Sequence, residues 1–370
     1  MDARRLLGIA LGLTVSATLA VTLGAPRRSA PPALTSDVDG ALAELVVQYV
    51  AEAHAVSAPV YRELFAALPP GVVVWVVCPD RAAFDDLVAR VGPTSVALRP
   101  VAVGHAMTTW SRDRWIALAP TREGAPPRLL LPSHEAGAPT WPARAGDTRT
   151  GLDLADASAG AIAAERSPLD FDGGDFVADG ETVFVSPRVL RRNLGRVVRD
   201  EAHLREALAS LFAQRVVLLR EAPDHHAGMY MMTLGERRVL VGDPALARPF
   251  VADPAAALAE AGGADFGASA QAAFDAVARQ CAEEGYAVTR IPVVPARDGR
   301  TYWTWLNALP ETRGAGRVVY LPRFDAPPAL EASAADTWRA LGFTVRSIDT
   351  ASAYRHFGGL RCLVNVLRRA

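Results

Sequence analysis

A cysteine, Cys362, follows a paired glycine in the stretch Phe357-Gly358-Gly359-Leu360-Arg361-Cys362-Leu363-Val364-Asn365. Two glycines let the backbone turn tightly and approach a ligand with no Cβ in the way. The apolar run after them reads as a terminal strand, so the thiol stands at a strand mouth. That placement suits a nucleophile, or equally a small buried hydrophobe. Four more polar clusters precede apolar, β-rich runs. Thr109-Trp110-Ser111-Arg112-Asp113-Arg114-Trp115 packs aromatic, cation and carboxylate together. Asp170-Phe171-Asp172-Gly173-Gly174-Asp175 frames a Gly-Gly turn with acids. In Asp224-His225-His226-Ala227-Gly228, strand geometry would put Asp224 and His226 on one face, a carboxylate beside an imidazole. Thr301-Tyr302-Trp303-Thr304-Trp305-Leu306-Asn307 is the last. Plainer readings stand beside these: Asp113 pairs with Arg112 or Arg114, and His226 is a satisfied core histidine.

These clusters need elements to bring them together. Asp39 to Leu68 reads as amphipathic helix, Gly71 to Cys78 as strand, Asp80 to Val91 as helix and Thr94 to Val103 as strand. Runs ending in proline then recur: Ile116–Pro120, Val183–Pro187, Val239–Pro244 and Val318–Pro322. The last three lead into helices at 201–213, 270–284 and 334–341, then into strands at 215–219, 286–293 and 343–348. A recurring strand-turn-strand-helix-strand unit predicts an α/β repeat architecture. Arg122 to Ser167 reads as a Pro/Gly/Ala-rich insertion that interrupts it.

The chain has 370 residues, half of them hydrophobic, and a net charge of -1. That is enough for a large core and gives no electrostatic case for nucleic acid. The basic residues are all arginine. Cys78, Cys281 and Cys362 have no metal-ligand spacing, and Cys78 and Cys281 read as packing residues. Arg4 and Arg5 precede an apolar stretch from Leu6 to Ala25, which reads as a signal peptide or an uncleaved membrane anchor. Residues 1–30 are therefore expected to be leader plus spacer, and residues 36–370 one domain working outside the cytoplasm: secreted, periplasmic or anchored facing outward. No Gly-rich phosphate loop and no G-x-S-x-G elbow is present, which argues against dinucleotide and serine-hydrolase chemistry.

W-x-R-D, acidic-Gly-Gly-Asp, D-x-H, a Tyr/Asn strand and Gly-Gly-x-x-Cys, in that order, resemble the guanidino-modifying (pentein) superfamily. The nearest likeness is to its agmatine deiminase and bacterial-type peptidylarginine deiminase branch. The resemblance spans Val72 to Val366. It implies a pentein fold, five ββαβ-type units around a pseudo-five-fold axis. It implies Cys362 as nucleophile, His226 as general acid/base, Asp113 as guanidinium-binding carboxylate and Asp172 as an acid near the histidine. Trp110, Asp175, Asp224, Asn307 and Gly359 are the further substrate-site candidates. The chemistry fits: a guanidinium is planar, charged and rich in donors, carboxylates grip it by paired hydrogen bonds, a thiolate attacks it, and a histidine protonates the departing ammonia.

The implied reaction converts a small guanidino compound or an arginine-containing peptide into a ureido product and ammonia, with no cofactor and no metal. There are two departures. The branch has an H-x-D aspartate on the other side of the guanidinium where Gly228 stands here. Losing one carboxylate of a desolvated pair costs about 3–5 kcal/mol, with Asp224 and Asp175 as candidates to compensate. Arg361 stands where agmatine deiminases often carry histidine, and its charge would repel a cationic substrate. Amidinotransfer, or a binding module that has lost catalysis, are the other readings. The residues leave oligomeric state open.

Overall fold

In a computed structural model, residues 30–122, 124–133 and 142–370 are described. The expected leader and most of its spacer lie outside them. The chain begins with β1 (Leu42–Gln48), α1 (His54–Ala67), β2 (Val73–Cys78), α2 (Arg81–Val91) and β3 (Ala97–Ala102). Next come β4 (Ile116–Leu118), β5 (Arg128–Leu131), α3 (Pro142–Ala157) and β6 (Ala163–Arg166). A third group is β7 (Phe176–Ala178), β8 (Thr182–Val185), α4 (Pro187–Asn193), α5 (Glu201–Leu211) and β9 (Arg215–Leu218). A fourth is β10 (Met231–Gly235), β11 (Arg238–Asp243), α6 (Pro244–Ala247), α7 (Ala268–Glu283), β12 (Ala287–Pro295) and β13 (Tyr302–Thr304). The chain continues through β14 (Leu309–Arg313), β15 (Gly316–Arg323), α8 (Pro328–Ala340) and β16 (Thr344–Asp349), then α9 (Ala351–Tyr354), α10 (Leu360–Leu363) and β17 (Val364–Arg369).

Among the described residues the strands form five sheets of three or four strands each. In each, an antiparallel pair is joined through at least one helix to a parallel third strand, as in β7-β8-β9 and β14-β15-β16. The parallel partner needs a helical crossover, which explains the recurring unit. One sheet joins the two ends of the described chain: β17 runs antiparallel to β1, with Val47 opposite Val364, and β1 runs parallel to β2. That pairing fixes the backbone immediately after Cys362. The fold is mixed α/β, and its sheets are not closed into a barrel.

Local chemistry sets the element ends. Asp80 caps α2 by accepting from the Ala83 N–H, and Asp200 caps α5 by accepting from the His203 N–H, so orphan donors of the first turn are satisfied. In α2 the buried residues Ala83, Phe84, Leu87 and Val91 repeat at helical spacing, giving a single apolar face.

Three sequence expectations are corrected. Asp39–Leu68 is not one helix, because Leu42–Gln48 is a strand flanked by β17 and β2. Its last four residues are all buried, and an inner strand of this kind has no alternation to reveal it. Arg122–Ser167 is not an insertion: it holds β5, α3 and β6 of one repeating unit. Cys362 does not enter a strand directly. It sits in the single turn α10, and the strand starts two residues later.

Candidate active site

The turn carrying Cys362 is fixed from below by apolar packing and from the side by an amide. Leu360 and Leu363 are buried in a cluster with Tyr61, Leu64 and Phe65. The Tyr61 hydroxyl donates to the Leu363 carbonyl at 3.2 Å. Asn307 Oδ1 accepts from the backbone N–H groups of Arg361 (2.8 Å) and Cys362 (3.3 Å), while its Nδ2 lies 3.3 Å from Cys362 Sγ. The glycines before the cysteine are required by crowding. A Cβ on Gly358 would lie 2.3 Å from the Trp110 ring, and one on Gly359 would lie 2.7 Å from Asn307 Oδ1. Phe357, not a glycine, takes the left-handed conformation, at φ 68°.

His226 reaches the same place from mid-chain. Its Nε2 lies 3.3 Å from Asp172 Oδ2, and its ring lies against Gly174, where a Cβ would come 2.5 Å from Nδ1. Burial opposes charge on this imidazole, but hydrogen bonds to Asp172 and Cys362 and the charges of Asp113 and Asp175 prevail, raising its pKa to about 10. It is therefore protonated near neutrality. His225, buried beside His226 and Arg188, is pushed well below 6.5 and stays neutral. Burial alone would raise Asp172, yet His226, Arg192 and Arg144 hold it well below the usual carboxylate range. Asp224 does not share a face with His226: no strand forms there, its side chain is 80% exposed, and it pairs with Arg191.

Cys362, His226, Asp113, Asp172 and Trp110 line one cleft of about 630 Å³, with Asp224 at its exposed edge. Asp175 is not among the lining residues. It is fully buried behind them, accepting from the Asp172 N–H at 2.9 Å and pairing with Arg192 at 3.1 Å. Asn307 and Gly359 shape the cysteine turn from beneath. Among the described residues, no cluster of three or more His, Cys, Asp or Glu could hold a metal ion.

Among the described residues no acid fills the space left by Gly228; a Cβ there would lie 2.6 Å from Arg361 Nη1. Arg361 does not face the cleft. It is 2% exposed and forked onto Asp37, with Nη2 at 2.8 and 2.9 Å and Nε at 3.1 Å. Arg112 shares Asp37 at 3.5 Å and bonds Asn365 Oδ1 at 3.1 Å. Arg114 lies 3.6 Å from Asp172, so Asp113 pairs with neither of its sequence neighbours; its partner is Arg144, at 2.7 Å.

Sequence reasoning missed Asp37, Arg144, Arg188, Arg192 and Arg300. The last four line the cleft together with Arg191. Three of these, Arg188, Arg191 and Arg192, fall on α4, and their number was the available signal. Asp37 lies in a loop with no motif around it.

No protein-family profile matches the chain, and no curated protein matches it by sequence. Solved structures do match in shape. Agmatine deiminase of C. jejuni superposes with a TM-score of 0.64 at 13% identity, covering 88% of this chain and 93% of that one. Agmatine deiminase of Enterococcus faecalis gives 0.64 at 11%, covering 90% and 95%. A protein provisionally assigned as a peptidyl-arginine deiminase gives 0.66 at 12%, covering 91% and 98%. Across most of its length, then, this chain has the mixed α/β fold of the agmatine deiminases.

Proposed function

We propose that this protein is a C–N hydrolase acting on a guanidino group through a covalent cysteine intermediate. The observation that carries the reading is the shared cleft of Cys362, His226, Asp113 and Asp172, four residues drawn from four distant parts of the chain. In the proposed reaction the Cys362 thiolate attacks the central guanidinium carbon, whose charge faces the acids. The carbon–nitrogen bond then breaks, and the departing nitrogen takes its proton from the imidazolium of His226 and leaves as ammonia. Neutral His226 next takes a proton from water as the oxygen adds to the thiouronium carbon. Collapse expels the thiolate, the hydroxyl proton passes to solvent, and the ureido product leaves. Asn307, on the sulfur and on two N–H groups of the same turn, holds the nucleophile in register.

Five cleft arginines against three carboxylates favour a substrate whose remote end is not a cation. Peptidyl-arginine or a guanidino acid therefore fits better than dicationic agmatine. In this reading the five sheets stand as five units around a common axis, residues 36–370 act as one catalytic domain, and the leader delivers it outside the cytoplasm. The test is to incubate the chain with agmatine, free arginine and an arginine-containing peptide and to measure ammonia and ureido product. Turnover lost in Cys362→Ala supports the reading. No turnover of any guanidine favours the second reading, a binding module, which the filled Gly228 space and the occupied Asp113 carboxylate motivate.

A further inference from the structure

The guanidinium seat of this cleft already contains a guanidinium. Arg144, near the start of α3, has Nη1 at 2.7 Å from Asp113 Oδ2 and Nη2 at 3.5 Å from Asp172 Oδ1. One planar fork thus spans Asp113, which the guanidino reading assigns to substrate, and Asp172, which it places beside His226. Its placement is built into the fold. A Cβ on Gly146 would lie 1.8 Å from the Ala106 carbonyl oxygen, so only a glycine lets this part of α3 press so close. Asp147, 0% exposed, steadies the same guanidinium from behind at 3.2 Å. Asp147 is in turn held by the Thr108 N–H at 2.8 Å and the Thr108 hydroxyl at 2.7 Å. Arg144 therefore has a partner to retain if it leaves Asp113.

We propose that Arg144 is the specificity-determining residue of the cleft: it occupies the seat in the substrate-free chain, and a guanidine enters only by displacing it from Asp113. This rests on the guanidino reading. Binding exchanges one guanidinium for another on Asp113, so the net gain is small and simple guanidines bind weakly. A substrate must contribute further contacts elsewhere in the cleft to win the exchange.

The experiment uses the full chain in two forms. With Cys362→Ser to prevent turnover, calorimetry measures the binding of N-ethylguanidine and agmatine with and without Arg144→Gln. With Cys362 intact, the same pair of chains is assayed for ammonia release. The expected result is that Arg144→Gln lowers Kd by about tenfold or more and lowers KM by a larger factor than any change in kcat. Arg144→Lys, which keeps a charge near Asp147 without a fork able to span both acids, replaces Arg144→Gln if that variant does not fold, with the same shift expected. Turnover by the parent with Kd and KM unchanged or raised in the variants overturns the proposal and leaves the guanidino reading standing. Absence of binding and turnover in every chain overturns both.

Discussion

Replacing Asp172 with Asn should change stability in a way that depends on pH, because the imidazolium of His226 is held largely by that carboxylate. His226 rises from 6.5 to about 10 on folding. At about 1.4 kcal/mol per pH unit, that corresponds to roughly 5 kcal/mol of coupling between folding and protonation. The sign follows from the raised value: the contribution is fully present below pH 6.5 and is lost as pH climbs through about 10. Asp172 leads the groups that raise it, followed by Cys362, Asp113 and Asp175, so its removal should take away the largest single part of that coupling. Asp172→Asn also removes a partner from Arg192 at 2.6 Å, a loss that does not vary over this pH range. Urea unfolding of parent and variant at half-unit steps from pH 7 to 10.5 separates the two effects. The difference in unfolding free energy should shrink across that range, by no more than the roughly 5 kcal/mol of the whole coupling. A difference constant with pH would refute the pairing of Asp172 with a charged His226.

Other expectations concern the parts that position the cleft. Asp37→Ala strands Arg361 and Arg112, 2% and 5% exposed, and should cost about 3–5 kcal/mol of stability by denaturant unfolding. Gly174→Ala puts a methyl group 2.5 Å from His226 Nδ1; ammonia release should fall about a hundredfold while the far-ultraviolet circular dichroism is retained. In native protein, iodoacetamide followed by peptide mass mapping should label Cys362 in the cleft before the others. Burial pushes Cys78 up to about 11 and Cys281 up to about 12, and thiols so raised react slowly.

The recurring unit was legible because proline-ended apolar runs followed by amphipathic helices survive in the sequence as pattern. The rest of the unit from β4 to β6 was hidden because Arg122 to Ser167 is rich in proline, glycine and alanine and reads as an insertion. The resemblance carried by the order of the clusters put Cys362, His226 and Asp113 in one pocket and Asp172 near the histidine, and the four line one cleft. Local spacing failed for the histidine: Asp224 precedes it by two residues, yet its acid, Asp172, lies 54 residues away. Arginine identity carried even less. Arg361 beside the cysteine turns inward to Asp37, whereas Arg144, far from every motif, lies on Asp113. A side chain that long can end in the core or in the cleft from the same backbone position, and only packing decides.

The most direct test of the central claim is intact mass spectrometry of the chain quenched during turnover of a guanidine, with ammonia followed in parallel. The account predicts a transient adduct of the amidine carbon on Cys362, ammonia released in step with its formation, and neither signal in Cys362→Ala. Ammonia released at the parent rate by Cys362→Ala would contradict it.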